Sequence, residues 1–338
     1  MDNLTHTLAG VAMSHAGLNR KTRFATLVLV IGSSLPDIDV VSRIDSSATY
    51  LKYHRGITHS ILGVIVLGFI LWGCIYWVGK RVRPKPRLPL NAAWLLCAAL
   101  LGTASHLLLD FTNSYGVRPF LPFSGRWYAW DIMYIFDPLL LLLLALGLGV
   151  PWLLRLVSEE VGARKSNLAR GAIFALSVMA ALWGVRTFAH NRALSILDSR
   201  TYSEQNPQRL DAFPSPGNPL AWTGVVETDA ALDVLSVNAL NPNQPPVEVR
   251  TFKKPEASAA LEAAMRTRTG RIFMDFARFP WGEVEAIEDG FLVSLRDLRF
   301  YRGMARSRGF VVDVDLDKDL RVRSESFSFN APLRRGEE

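Results

Sequence analysis

The chain has 338 residues, 49% of them hydrophobic, and a formal net charge of +7. Its mean hydropathy of +0.16 is higher than a soluble chain of this length usually needs. Before His190 there are 18 Lys/Arg against 9 Asp/Glu, and from His190 onward there are 20 against 22. The basic excess thus accompanies the apolar part of the chain, which is typical of loops beside membrane spans and argues against a nucleic-acid partner. Cys74 and Cys97 both fall in apolar runs, so neither a disulfide framework nor a cysteine-based zinc site is indicated.

Six apolar windows precede residue 191. A bilayer core about 30 Å thick needs about 20 mostly apolar helical residues, and the third to sixth windows meet that length well. We therefore predict about six transmembrane helices in residues 1–190; whether the first window spans the membrane or lies at its interface stays open. Buried helices of a soluble protein are the weaker alternative, because so many long apolar windows exceed what one core requires. The windows are Asn3–Leu18, Phe24–Val41, Ile57–Gly79, Asn91–Asp110, Ile132–Leu156 and Leu168–Ala189.

The loops between these windows predict an orientation. Three alternate loops, at 19–23, 80–87 and 155–170, hold twelve Lys/Arg together, whereas the loops at 42–56 and 111–131 hold five. Because cytoplasmic loops are enriched in Lys and Arg, the first set is predicted to be cytoplasmic. The protein is then expected in the inner membrane of a bacterium, with its C-terminal part extracytoplasmic. The N-terminus lacks a basic region and a small-residue cleavage site, so we expect no cleaved signal peptide.

The pattern changes after His190. Residues 191–219 are predicted to be a connecting helix, over 191–203, and a linker rich in Pro, Gly and Asn, over 206–219. Residues 220–338 are predicted to form a small α+β soluble domain, with a mostly antiparallel sheet and one helix near Pro255–Arg268. The alternating aspartates from Asp313 to Asp319 are interpreted as the solvated face of a strand. The predicted strands are Trp222–Glu227, Val247–Phe252, Arg271–Phe276, Gly290–Tyr301, Phe310–Leu316 and Leu320–Phe329.

Histidines and aspartates concentrate in the apolar half. Five of the six histidines precede residue 107, where polar groups are costly and therefore tend to mark function. Four short motifs hold them or their candidate partners, and in the predicted topology all four lie at the outer ends of spans. The motifs are Asn3-Leu-Thr-His6, Leu35-Pro-Asp37-Ile-Asp39, His54-Arg55-Gly-Ile-Thr-His59-Ser60 and Ser105-His106-Leu-Leu-Leu-Asp110.

The chemistry of these residues suits a metal ion. His106 and Asp110 are four residues apart and share one helix face, and Pro36 breaks helical geometry just before Asp37. Mixed nitrogen and oxygen ligands suit a divalent metal such as Zn, with Mn or Fe as alternatives, and the number of ligands allows one or two ions. His15 lies deeper in its window and is predicted to have a packing role. The predicted ligands are His6, Asp37, Asp39, His54, His59, His106 and Asp110.

Two residues are predicted to take part in catalysis, and each motif also has a simpler interpretation. Asp39 is a candidate general base, and Arg55 a candidate phosphate-binding residue. A His–Asp pair at four-residue spacing is often only a hydrogen bond on a helix surface, and the Pro-Asp-Ile-Asp motif is also compatible with a helix end. Asp137 before Pro138 is interpreted as a helix cap. Asn113 is interpreted as a hydrogen-bond donor to a metal ligand.

The first 190 residues resemble the YdjM-like family of bacterial inner-membrane proteins. The resemblance rests on Thr5-His6, Leu35-Pro-Asp37-Ile-Asp39, the 54–60 motif and His106-Leu-Leu-Leu-Asp110, in that order and at roughly that spacing. It implies metal dependence and hydrolase activity, and it implies no particular substrate. The domain after residue 190 lies outside the resemblance.

The leading hypothesis is therefore a membrane-bound metal-dependent hydrolase. A site at headgroup depth favours membrane lipids as partners and a lipid or lipid-linked phosphoester as substrate. The alternatives are an ion-coupled transporter, which would favour polar residues nearer mid-bilayer, and a non-catalytic membrane scaffold whose metal holds helix ends together.

Overall fold

The computed structural model describes residues 1–82, 88–161, 167–202, 205–246, 248–301 and 309–331. The chain divides into two compact units. The first unit comprises Met1–Val40, Arg55–Phe188 and Pro214–Pro219. The second comprises Val41–His54, Ala189–Phe213 and Leu220–Glu338.

The helices of the first unit follow the apolar windows closely. Each begins where a cap or a turn is available; for example, Asn91 accepts from the backbone N–H of Trp94 at the start of a long helix. A 3-10 helix at Leu35–Ile44 follows the second α-helix. The α-helices are α1 Asn3–His15, α2 Ala25–Gly32, α4 Ile61–Arg81, α5 Ala92–Phe111, α6 Pro138–Val161 and α7 Leu168–Asp198. The part of α7 from Ala189 onward and the helix α3 (Ser47–Tyr53) belong to the second unit.

Four to five apolar spans lie within the described residues. The helices α4, α5, α6 and α7 are each long and apolar enough to cross a membrane. A fifth span is present if α2 and the 3-10 helix, which are bent by 42°, form one broken span. The predicted window Asn3–Leu18 corresponds to α1, whose 13 residues reach about 20 Å, less than a bilayer core requires.

Small residues let α1, α2 and α5 approach one another. A Cβ atom built on Gly32 of α2 would lie 3.3 Å from the Cα of Gly102 in α5. A Cβ built on Gly10 of α1 would lie 2.7 Å from Ser33 Oγ and 2.9 Å from the Leu29 carbonyl oxygen. Close approach through small residues is the usual way in which membrane helices pack, and here it joins α1 and α2 to α5, the helix that carries His106 and Asp110.

The second unit contains two four-stranded sheets with the strand orders β1-β2-β3-β4 and β5-β6-β7-β8. The pairs β2–β3, β3–β4, β5–β6, β6–β7 and β7–β8 are antiparallel. Two short helices, α8 (Ala259–Arg266) and α9 (Arg268–Phe276), lie between the sheets in sequence. The strands are β1 Arg209–Pro214, β2 Ala221–Glu227, β3 Ala231–Asn238, β4 Val249–Lys253, β5 Pro280–Ile287, β6 Gly290–Asp297, β7 Gly309–Asp317 and β8 Val322–Ala331.

The predicted α+β class with an antiparallel sheet is confirmed, but two local predictions were wrong. Residues 271–276 are helical within α9, because Thr267 caps the helix and Phe273 and Phe276, three residues apart, share its buried face. The predicted linker at 206–219 contains β1, whose last three residues are buried.

Three further local predictions can be compared with the structure. The helix predicted near Pro255–Arg268 is present as α8, and the aspartates from Asp313 to Asp317 do lie on a strand, β7. The predicted connecting helix ends at Asp198. Val247 and Ser203, which bound two predicted segments, lie outside the described residues.

Candidate metal centre

Three chain segments of the first unit meet at the site. The bend after α2 presents Asp37, and a 3-10 turn at Ile57–His59 presents His59 immediately before α4. The turn ends where Ser60 caps α4, its hydroxyl accepting from the N–H of Gly63 at 2.9 Å. The last two turns of α5 present His106 and Asp110, which share one face because they are four residues apart.

Four side chains from these segments form a buried group that can hold a metal ion. One ligand atom from each of Asp37, His59, His106 and Asp110 lies within 4.8 Å of the others. His59 and His106 are fully buried and Asp110 is 1% exposed, whereas the side chain of Asp37 is 20% exposed. Asp37 is therefore the most accessible member of the group.

The separations between these atoms match the edges of a tetrahedral site. Four ligands at about 2.0–2.1 Å from a zinc ion lie about 3.3 Å from one another. His59 Nε2 lies 3.4 Å from Asp37 Oδ1 and 3.3 Å from Asp110 Oδ2. His106 Nε2 lies 3.4 Å from Asp37 Oδ1, 3.6 Å from Asp110 Oδ2 and 3.0 Å from His59 Nε2. The donor set therefore fits a small divalent ion in both chemistry and size.

The second nitrogen of each imidazole faces an oxygen of the protein. His106 Nδ1 lies 2.8 Å from the carbonyl oxygen of Ser33, an acceptor that requires an N–H on that nitrogen. His59 Nδ1 lies 3.2 Å from Asp39 Oδ2 and 3.0 Å from Thr58 Oγ1. In a neutral ring these contacts leave the lone pair on Nε2, directed at the centre, which is the usual arrangement behind a metal-binding histidine.

The His59 imidazole faces three carboxylates. Its Nε2 lies 3.4 Å from Asp37 Oδ1 and 3.3 Å from Asp110 Oδ2, and its Nδ1 lies 3.2 Å from Asp39 Oδ2. The site therefore favours a positive charge at its centre, which either a proton or a metal cation can supply.

Asp110 separates the centre from a ring of supporting donors. Its Oδ2 faces the two histidines, whereas its Oδ1 accepts from Arg55 Nη2 at 2.9 Å and lies 3.3 Å from His6 Nε2. The amino group of Met1 also contacts Oδ1. The His6 ring stacks on His106 with centroids 3.9 Å apart. His6 therefore lies at the site, where it stacks on His106 and contacts Asp110 Oδ1, the oxygen that faces away from the centre.

Arg55 is buried behind the ligands. Its guanidinium donates to Asp110, to Asn113 Oδ1 at 2.8 Å and to the carbonyl oxygen of Gly116 at 3.2 Å, and it lies over the ring of Tyr115. Only 4% of Arg55 is exposed. These contacts give it a clear role in orienting Asp110.

Asp39 supports the turn that carries His59. Its Oδ2 accepts from the backbone N–H of Arg55 at 3.0 Å and from Thr58 Oγ1 at 3.1 Å, besides the contact with His59. Residue 55 has a left-handed backbone, with φ at 54°. Asp39 therefore fixes both the backbone path into the turn and the imidazole at its end.

Three further residues named in the sequence analysis are His54, His15 and Asp137. His54 belongs to the second unit, where it caps α3 and stacks on Tyr50 with centroids 4.5 Å apart, so its role as a ligand stays a prediction. His15 lies at the end of α1, 3.3 Å from the side-chain amide of Asn19. Asp137 accepts from the N–H groups of Leu139 and Leu140 and caps α6, as predicted.

Some supporting groups were missed by the sequence reasoning. The carbonyl oxygens of Ser33 and Gly116 act through the backbone, and backbone acceptors leave no residue-type signal. Thr58 lies inside the quoted 54–60 motif, and its position beside His59 was the available signal. Asn113 was predicted as a donor, but its Oδ1 accepts from Arg55 and from the N–H of Tyr115.

Together the fold and the site define a class: a helical membrane protein with a buried His/Asp group and an antiparallel α/β domain. The chain belongs to the family described as YdjM inner membrane protein, which matches residues 1–193. Residues 259–331 match the YfhP C-terminal alpha/beta plait domain. A Bacillus subtilis (strain 168) protein described as uncharacterized protein YfhP is 32% identical over 149 residues, which cover 41% of this chain and 42% of that relative. The match thus spans less than half of the relative's length, and no solved structure matches the chain.

Proposed function

We propose that this protein is a metal-dependent hydrolase that acts at the outer face of the inner membrane on a lipid or lipid-linked phosphoester. The observation that carries the proposal is the near-tetrahedral group of Asp37, His59, His106 and Asp110, whose ligand atoms lie 3.0–3.6 Å apart in the five measured pairs. Zn is the preferred ion, with Mn or Fe as alternatives.

The residues have distinct roles in this proposal. A divalent ion at the site would lower the pKa of a bound water and polarise the scissile bond. Asp37, His59, His106 and Asp110 would hold the ion, while Asp39 and Arg55 keep His59 and Asp110 in place. Asp39 is also the proposed general base. Because Asp37 is the most exposed of the four, substrate is expected to approach from its side.

Apolar surface beside Asp37 supports a lipid-like substrate. Ile38 is 54% exposed and Val40 50% exposed in the 3-10 helix that carries Asp37. Ile57 and Ile61, which flank the turn bearing His59, are 51% and 47% exposed. A polar headgroup at the centre would thus leave its acyl chain against exposed aliphatic side chains, which fits a lipid better than a water-soluble phosphoester.

The charge of the loops supports the proposed outer-face location. Twelve Lys/Arg in one set of loops against five in the other favour a location outside the cytoplasm for the ends of the helices that carry the site. The second unit is then also extracytoplasmic. Impermeant thiol labelling of Asp289→Cys, in a chain with Cys74 and Cys97 changed to Ala, tests this; protection from the label in intact cells or spheroplasts would contradict it.

Activity is tested with purified protein in detergent and in lipid vesicles. The metal-loaded protein is expected to release phosphate or a phosphorylated headgroup from a phospholipid or a polyprenyl diphosphate, and His106→Ala to abolish that release. Elemental analysis of both proteins reports the metal content separately from turnover. Stoichiometric metal without hydrolysis of any lipid phosphoester would contradict the hydrolase and favour the scaffold, whereas metal-dependent ion flux would favour the transporter.

A further inference from the structure

A short hairpin of the first unit, at 117–128, exposes aromatic side chains next to the ends of the spans. Val117 and Tyr128 exchange backbone hydrogen bonds at 2.8 and 2.9 Å and close the hairpin. At its tip, Phe123 is 89% exposed and Phe120 46% exposed. Exposing a Phe this fully to water is unfavourable, so the tip requires an apolar partner.

A backbone hydrogen bond fixes the position of the hairpin relative to the ends of the spans. It belongs to the connection between α5, which ends at Phe111, and α6, which begins at Pro138. The carbonyl oxygen of Pro119 accepts from the backbone N–H of Ile61, the first residue of α4, at 2.9 Å. The base of the hairpin is thus attached to the boundary of one apolar span and lies between the ends of two others.

Its charge and aromatic composition fit a membrane surface. Residues 117–128 contain two arginines and no acidic residue. Arg126 lies over the ring of Tyr128, and Arg118 over the ring of Trp127. Trp and Tyr are enriched at headgroup depth in membrane proteins, and arginine pairs well with lipid phosphate.

We propose that residues 117–128 form an interfacial anchor, which inserts Phe120 and Phe123 below the lipid headgroups and holds anionic headgroup phosphate with Arg126. The partner is the anionic lipid surface itself. Phe123 then lies about 5–10 Å into the headgroup and acyl boundary. Residues 113–116, which directly precede the hairpin, contact Arg55, so the anchor also holds the wall of the metal centre at headgroup depth. This inference stands on the geometry of the hairpin and does not depend on hydrolase activity.

The test places a fluorophore at the tip. In a chain with Cys74 and Cys97 changed to Ala, Phe123→Cys is labelled with an environment-sensitive dye and reconstituted in vesicles of phosphatidylethanolamine and phosphatidylglycerol. Because Phe123 is almost fully exposed, this change should leave the fold intact. Leu142→Cys, on the exposed face of α6, is the control within the bilayer, and Asp289→Cys, 74% exposed in the second unit, is the control in water.

The expected result is a blue-shifted emission at position 123, with strong quenching by lipids that carry a nitroxide near the headgroup and weaker quenching by deeper ones. Emission at 123 equal to that at 289, without quenching, would overturn the anchor. The role of Arg126 is tested by Arg126→Gln, which should reduce the shift in vesicles containing phosphatidylglycerol. An equal shift in pure phosphatidylcholine vesicles, unaffected by Arg126→Gln, would overturn the recognition of anionic headgroups.

Discussion

The Nε2 atoms of His59 and His106 lie 3.0 Å apart, and the other nitrogen of each ring faces an oxygen of the protein. Two neutral imidazoles in this arrangement direct lone pairs at each other, which is repulsive unless a cation lies between them. Two carboxylates at similar distance add to the negative potential. A positive charge between the two rings, supplied by a metal ion or by a shared proton, removes this repulsion, and metal binding tests which of the two is present.

Removing a ligand should remove the metal without unfolding the protein. His106→Ala and Asp110→Ala are each expected to lose most bound metal, because each deletes one of four ligands at the centre. Asp39→Asn should weaken binding by roughly 10–100-fold, since it acts through His59. Elemental analysis of purified, membrane-inserted protein gives the stoichiometry. His15→Ala is the matched histidine control and should keep wild-type metal; unchanged metal in both ligand variants would refute the site.

The packing of α1 on α2 should be coupled to the metal centre. A Cβ at Gly10 would lie 2.7 Å from Ser33 Oγ and 2.9 Å from the Leu29 carbonyl oxygen, so Gly10→Ala must move α2, where the Ser33 carbonyl orients His106. Overpacking of this kind costs about 1–3 kcal/mol. We expect Gly10→Ala to lower both the thermal midpoint and the metal affinity.

A matched glycine provides the control. Gly73 lies in α4, and a Cβ there would meet nothing within 4 Å, so Gly73→Ala should leave both properties unchanged. If both substitutions behave alike in a thermal-shift assay and a metal titration, the close approach of α1 and α2 does not support the site.

In the first unit, removing one charge of the buried ion pair between Arg186 and Asp137 should destabilise the protein more than removing both. Arg186 Nη2 lies 2.6 Å from Asp137 Oδ2, both side chains are fully buried, and Arg186 also contacts the carbonyl oxygen of Ile132. Removing one partner of such a pair leaves an uncompensated charge and costs about 3–5 kcal/mol.

Arg186→Met is therefore expected to be strongly destabilising, measured as the amount of folded protein and its thermal midpoint in detergent. The double variant Asp137→Asn/Arg186→Met should recover much of this loss, because Asn can still cap α6 and both charges are gone. A double variant no more stable than Arg186→Met would show that the arginine acts through something other than its charge.

Most of the helical architecture could be predicted because long apolar helices leave a strong signal. The four windows from Ile57 onward correspond to α4, α5, α6 and α7. The window Asn3–Leu18 predicts a membrane span only weakly, because it is short and contains polar residues. Two of these, Thr5 and His6, are buried in the structure by contacts with other elements. The pattern of residues 271–276 predicts a strand because the apolar residues of so short a segment fit either period, whereas the cap at Thr267 begins a helix there.

The residues of the site could be predicted from the sequence, but not which of them lie at the centre and which lie behind it. Asp37, His59, His106 and Asp110 were all named from motif and predicted membrane face. Motif positions alone do not separate the residues at the centre from those behind them, because Arg55 and Asp39 occupy the same motifs as the ligands. Their roles depend on which oxygen of Asp110 faces inward and on where Ser33 directs its carbonyl group.

The second unit should lose stability in acid through Asp211. Burial alone would raise the pKa of this carboxyl group, but the hydrogen bond with His190 and the charge of Arg278 outweigh burial and lower it. A carboxylate with a lowered pKa stabilises the folded state fully above the pKa of the unfolded chain, about 3.9, and this contribution is lost as the pH falls through the folded value. We therefore expect the free energy of unfolding to fall as the pH is lowered from about 5 towards about 2.

The fluorescence of Trp222 is a suitable probe, because this residue is 1% exposed and its ring centroid lies 5.2 Å from that of His190. Asp211→Asn should be less stable than wild type at neutral pH and should show a shallower decline in acid, since the carboxylate that titrates is absent. Asp289→Asn, at a side chain 74% exposed, should follow the wild-type curve. Should Asp211→Asn and the wild type decline in parallel, the acid sensitivity of this unit would come from other groups.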